Sequence, residues 1–132
     1  MDRALAESAA LERAGKFDEA VSSLETQARE TFGHAEIFDA AARALLAHRS
    51  GKGDRERAVE WALRACAAAA GNDPFFCATL AAAHAANGHP EEAVLAARQA
   101  KNAAVARGDE ALATELERRI QQYARAASEV SG

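Results

Sequence analysis

One spacing recurs in this chain and constrains its fold more than any other feature. Gly15, Gly53 and Gly88 are each followed, after four residues, by an Ala-Val pair: Ala20-Val21, Ala58-Val59 and Ala93-Val94. The three alanines lie 38 and 35 residues apart. A helix break that returns at a period of roughly 20–50 residues marks stacked helical units, each unable to bury its apolar side alone.

The segments around these breaks predict seven helices. The first covers Asp2 to Ala14, with Leu5, Ala9 and Leu11 apolar, and stops at Gly15. The second runs from Asp18 to Glu30 with Ala20, Val21, Leu24 and Ala28 at helical spacing. Gly33 ends the link to a third, Ala35 to His48, carrying Ile37, Phe38, Ala41, Ala42, Leu45 and Leu46. Arg49 to Asp54 holds two glycines among polar residues and predicts the longest break, with the fourth helix starting at Asp54 and stopping at Gly71. Asp73-Pro74 opens the fifth helix, because Asp caps free N–H groups and proline's missing N–H does no harm in a first turn. Asn87-Gly88 stops it, and His89-Pro90, with Glu91 and Glu92 near the positive end of the dipole, opens the sixth, which runs to Arg107. The seventh spans Asp109 to Ala127, with Leu112, Leu116, Ile120 and Tyr123 on one stripe and Glu115, Arg118, Arg119 and Gln122 opposite. Ser128 to Gly132 is expected to fray.

Composition agrees with an all-α chain. Of 132 residues, 38 are alanine and seven aromatic, so helices are favoured while each buries little apolar area. Stability must then come from close helix approach. Val and Ile are scarce and no run alternates apolar with polar residues, which argues against a sheet. An Ala-rich helix bundle is the competing architecture, but it has no need of three aligned breaks.

The net charge of −4, with mixed signs, supplies no basic footprint for nucleic acid. No apolar run reaches the length of about 18 residues that would suggest membrane insertion. The first residues, MDRALAESAALERAG, lack a secretory pattern, and two cysteines make no disulfide framework. A reduced, cytoplasmic chain is expected.

Residues of the types that carry chemistry have simpler readings. Cys77, His84 and His89 match no compact zinc spacing, and His89 lies beyond a helix stop. Cys66 and Cys77 read as small buried hydrophobes. Gly51-Lys52-Gly53 lacks the spacing of a phosphate-binding loop, and no Ser, Cys or Lys stands in a nucleophile motif. Glu91-Glu92 and Asp109-Glu110 sit at helix starts, where carboxylates have a structural task. Trp61, beside Ala58 and Ala62, reads as a packing residue. Catalysis, a cofactor and a metal are therefore not expected.

The third copy of the repeat resembles the tetratricopeptide repeat family, a helix-turn-helix unit of about 34 residues. Leu80-Ala81, Gly88, Ala93 and Ala100 stand at that family's marker positions, and Asp73-Pro74 matches its common opening. The first copy matches from Gly15 onward (GKFDEAV) but has Glu7 where leucine is usual and Gln27 where alanine is usual. In the second, Gly53 comes about four residues late relative to Phe38 and Ala42, which an extra helical turn or a longer loop would explain. His84 stands where a core tyrosine is usual.

The resemblance implies a right-handed α-solenoid of antiparallel helix pairs in a single domain. Its units are residues 2–33, 34–71 and 72–107, with residues 109–127 as a capping helix. It also implies a concave face lined by the first helix of each unit. That face would carry Asp2, Leu5, Ala9, Glu12 and Arg13; then Glu36, Asp39, Arg43, Leu46 and Ala47; then Phe75, Ala78, Ala82, Ala85 and Ala86. Leu5, Ala9, Ala40, Phe75 and Thr79 occupy the places where chaperone-binding relatives put Lys and Asn to hold a terminal carboxylate, so that clamp is absent. The expected role is a non-catalytic interaction module holding a peptide or helix with an apolar side. The alternatives are a regulatory domain of a larger protein, or self-association into a homo-oligomer through the poorly filled first helix.

Overall fold

The structure is a computed structural model. It describes the backbone of residues 2–30, 34–49 and 51–131 and the side chains of residues 5–30, 34–49 and 51–129. Gly33, Ser50, Gly132 and the side chain of Asp2, each given a part by the sequence, lie outside the described residues. Among the described residues the fold is all-α, with seven helices and no strand: α1 (Asp2–Arg13), α2 (Phe17–Glu30), α3 (Ala35–His48), α4 (Lys52–Ala68), α5 (Pro74–Ala86), α6 (Pro90–Ala106) and α7 (Glu110–Ser131).

Each helix packs on the next along the chain, and α3 also meets α1 and α5. Arg49, just beyond α3, reaches Asp18 at the start of α2 at 3.0 Å, and Arg107, just beyond α6, lies 3.7 Å from Asp73 at the start of α5. Both pairs of helices therefore run antiparallel. The buried positions follow helical spacing: Ala20, Val21, Leu24 and Ala28 on α2; Ile37, Phe38, Ala41, Ala42 and Leu45 on α3; Ala113, Leu116 and Ile120 on α7. Between α5 and α6 the contact is made largely of alanine methyl groups, with Ala81, Ala93, Ala97 and Ala100 all buried. Each methyl contributes only about 0.8 kcal/mol of burial. Cohesion there depends on how closely the two backbones approach, and a larger side chain would push them apart.

The turns explain two of the three aligned glycines. After α5, Gly88 takes φ +78°, its N–H donates to the Ala85 carbonyl at 3.1 Å, and the His89 N–H donates to the His84 carbonyl at 2.8 Å. Gly15 repeats the arrangement after α1: φ +78°, with N–H donation to Glu12 at 3.0 Å and from Lys16 to Leu11 at 2.9 Å. Both are Schellman closures that favour glycine because a Cβ is strained at positive φ.

Gly53 does not share this role. It lies inside α4, which starts at Lys52 and not at Asp54. The Asp54 carboxylate accepts from the Gly51 N–H at 3.1 Å and from Arg57 at 3.0 Å, so it satisfies a free backbone donor from one turn inside the helix. The apparent lateness of this glycine is therefore an extra piece of helix at the start of α4, and the long break expected at residues 49–54 is short. The chain end departs from expectation too, since α7 continues as helix to Ser131 instead of fraying after Ala127.

Trp61 packs inside, 4% exposed, with its ring stacked on Phe38 at 5.9 Å between centroids. Its indole N–H donates to Glu25 Oε2 at 2.9 Å, and Arg57 Nε donates to the same oxygen at 2.9 Å. Glu25 is thus a carboxylate inside the core, 5% exposed, tying α2 to α4. Burial alone would push its carboxyl pKa up, but the bonds from Arg57 and Trp61 and the charges of Arg57 and Arg29 outweigh it and hold the group below its ordinary value.

Candidate functional site

Two hollows open along α3, one on each side of Arg43. The first, of about 380 Å³, lies between α1 and α3. Leu5, Ser8, Ala9 and Glu12 enter it at i, i+3, i+4 and i+7, so one face of α1 forms the wall. Arg43, Ala47 and His48 face them from α3. His48 Nε2 lies 3.2 Å from Glu12 Oε2, and the imidazole stacks on Phe17 at 4.2 Å. Contacts to both α1 and the start of α2 thus fix the mouth of this hollow.

The second hollow, of about 490 Å³, is bounded by α3, α5 and α7. Asp39, Arg43 and Leu46 enter from α3 at i, i+4 and i+7, and Phe75, Ala78 and Ala82 from α5 at i, i+3 and i+7. The start of α5 sets the Phe75 ring. Asp73 Oδ1 accepts from the backbone N–H groups of Phe75 at 2.8 Å and Phe76 at 3.1 Å, while Pro74 is buried. Phe75 then projects outward, 56% exposed, and Phe76 packs against the core. The Thr79 hydroxyl also lines the hollow but donates to the Phe75 carbonyl at 3.1 Å, so it is satisfied within its own helix. From α7 comes Arg119, whose Nε donates to Glu115 Oε1 at 3.2 Å.

Asp39 is the polar centre of this second hollow. It is 6% exposed, and its Oδ2 accepts from Arg43 Nε at 2.7 Å. Its Oδ1 has no hydrogen-bond partner among the described residues. Buried polar oxygens are nearly always hydrogen-bonded, so this atom is a notable exception.

Ten of the fifteen residues that the sequence places on this face line one hollow or the other: Leu5, Ala9, Glu12 and Ala47 the first; Asp39, Leu46, Phe75, Ala78 and Ala82 the second; and Arg43 both. The Asp2 side chain lies outside the described residues, and Glu36, Arg13, Ala85 and Ala86 line neither hollow. Arg13 is one residue past Glu12, about 100° further round the helix, and is exposed. Ala85 and Ala86 lie in the last turn of α5, beyond the stretch that faces α3. Residues passed over in the sequence also take part, chiefly Ser8, which is buried, and Arg119, which reads there as part of a solvated face. Arg119 directly precedes the buried Ile120, so it sits at the edge of the apolar stripe; that edge is the one signal the sequence offers.

The other titratable groups form no comparable cluster. Cys66 and Cys77 are buried with their sulfurs 2.9 Å apart. Burial, and then the neighbouring Cys66, push the Cys77 thiol up to about 12, so it stays protonated at neutral pH. Half-buried His84 is held below its ordinary value by burial. Among the described residues no three His, Cys, Asp or Glu side chains converge as metal ligands would, and no helix is long and apolar enough to cross a membrane. Neither the models of known protein families nor the curated proteins give a match to this chain.

Proposed function

We propose that the chain is a tetratricopeptide-like module, a short right-handed solenoid of helix pairs closed by α7, that binds a peptide segment of another protein without catalysing a reaction. The observation that carries this reading is the pair of adjoining hollows. They share Arg43 and together border α1, α3, α5 and α7, so an extended segment or a helix has a continuous track to lie on. Their walls are alanine, leucine and one outward phenylalanine, with charged groups spaced between, a lining that suits a segment with one apolar side. Because packed helices hold these walls, binding orders mainly the partner.

A selection of short random peptides against the immobilised protein tests the reading. Peptides should be recovered on the wild type, and Phe75→Ala with Arg43→Glu should weaken them about tenfold or more while the far-UV circular dichroism stays unchanged. Recovery of no peptide, or of peptides indifferent to both substitutions, would overturn it. Light scattering separates it from self-association, which would raise the mass above that of one chain as concentration increases.

A further inference from the structure

The outward Phe75 ring and the two arginines that line the same hollow narrow the kind of segment this site takes. We propose that the hollow between α3, α5 and α7 receives an acidic peptide segment with one large apolar side chain; this rests on the peptide-binding reading above. The apolar side chain lies on Leu46, Phe75, Ala78 and Ala82, and a carboxylate of the segment sits between Arg43 and Arg119.

Two observations converge on this occupant. The first is the apolar wall. Phe75 projects outward, 56% exposed, beside Leu46, Ala78 and Ala82, and a large apolar side chain of the segment removes that ring from water.

The second is charge. Asp39, Arg43 and Arg119 are the ionised residues lining the hollow, which gives it a surplus of one positive charge in a chain of net charge −4. Among the described residues only the Nε of each arginine is engaged, by Asp39 and by Glu115, so the Nη groups remain for a ligand. Glu115 does not cancel the surplus, because Arg118 also donates to it, through Nε at 3.1 Å. A lysine ammonium is a poorer occupant than a carboxylate: it would meet one carboxylate already paired and two guanidinium groups. A carboxylate offers the planar acceptor that a guanidinium fork matches.

The same peptide selection, read for composition, tests the proposal. Recovered sequences should be enriched in Asp or Glu beside a large apolar residue. A recovered peptide should bind Arg119→Gln about fivefold to tenfold more weakly than wild type in fluorescence anisotropy, and its affinity should fall as salt is raised. Arg119 is partly exposed, so this variant folds. Sequences that are basic or uncharged, or an Arg119→Gln affinity within about twofold of wild type, would overturn the inference. If such peptides still depend on Phe75, the groove reading survives without it. If no peptide is recovered, both fall.

Discussion

Truncating Glu25 to alanine should cost this protein about 3 kcal/mol, far more than truncating a carboxylate that makes just as many ion pairs at the surface. The estimate is built from three parts. Glu25→Ala removes the acceptor of the Trp61 N–H, an atom in a residue only 4% exposed, and an orphaned buried donor costs about 1–3 kcal/mol. It removes one methylene from a packed site, about 0.8 kcal/mol. It also releases Arg57, but that side chain is 38% exposed and keeps Asp54 at 3.0 Å, so its share is below about 1 kcal/mol. Better helix propensity returns a few tenths of a kcal/mol. Urea denaturation followed by far-UV circular dichroism reads the total. Emission from Trp61, the only tryptophan, reports in parallel whether its surroundings open. The control is Glu115→Ala, which breaks ion pairs to Arg118 and Arg119 at the surface and should cost less than about 1 kcal/mol. A loss at Glu25 of under about 0.5 kcal/mol, or one equal to the control, would refute the claim that α2 is held to α4 through this carboxylate.

Three further outcomes follow from the same structure. The Glu25 carboxyl is held below its ordinary value when folded, so its contribution is present above the unfolded pKa of about 4.3 and is lost as pH falls through the folded one; the stability gap between wild type and Glu25→Gln should therefore narrow on acidification below about pH 4.3, and a gap that stays constant would contradict it. Ala100→Leu should lose about 1–3 kcal/mol in urea denaturation, because residue 100 is fully buried where α6 meets its neighbours and has no room for three more carbons. Ala70→Gly should raise thermal stability by about 0.5–1 kcal/mol, since Ala70 sits at φ 55° in the turn after α4, a conformation that strains any Cβ; a drop would show that unfolded-state entropy outweighs that strain.

How much of this was legible in the sequence depends on whether a signal is local. Gly15, Gly88 and Asp73-Pro74 act on backbone groups within one turn, and their helix ends fall within a residue or two of the sequence reading. Gly53 misleads for an equally local reason: Asp54 caps from inside the helix, so the glycine that looks like a break is carried within it. The core faces were legible where helical spacing of apolar residues is strong, as on α2 and α3. Glu25 was not, because a carboxylate on a helix reads as solvated until Trp61 and Arg57, more than thirty residues away, are placed against it. The hollows divide in the same way. The walls on α3 and α5 come from positions i, i+3 or i+4, and i+7 on single helices, which a sequence displays. Arg119 belongs to the site because α7, packed on α6, carries it to the hollow that α3 and α5 wall, a placement that no spacing within one helix encodes.

That packing gives α7 two tasks on neighbouring residues. Leu116 and Ile120 are buried in the core, while Arg119, between them in sequence, lines the hollow with Asp39 and Arg43. A helix that served only to cover the end of the fold would be replaceable by any helix with the same apolar stripe. Here the turn that buries Ile120 also sets where the Arg119 guanidinium stands, and Glu115, one turn earlier, fixes its Nε. Deleting α7 would remove both tasks at once and say nothing about either. Separate substitutions divide them: Leu116→Ala acts on packing and should lower stability by about 2–5 kcal/mol, whereas Arg119→Gln acts at the hollow and should leave the fold intact. If peptide binding follows Arg119 in a chain whose stability is unchanged, the last helix is part of the recognition surface as well as part of the core.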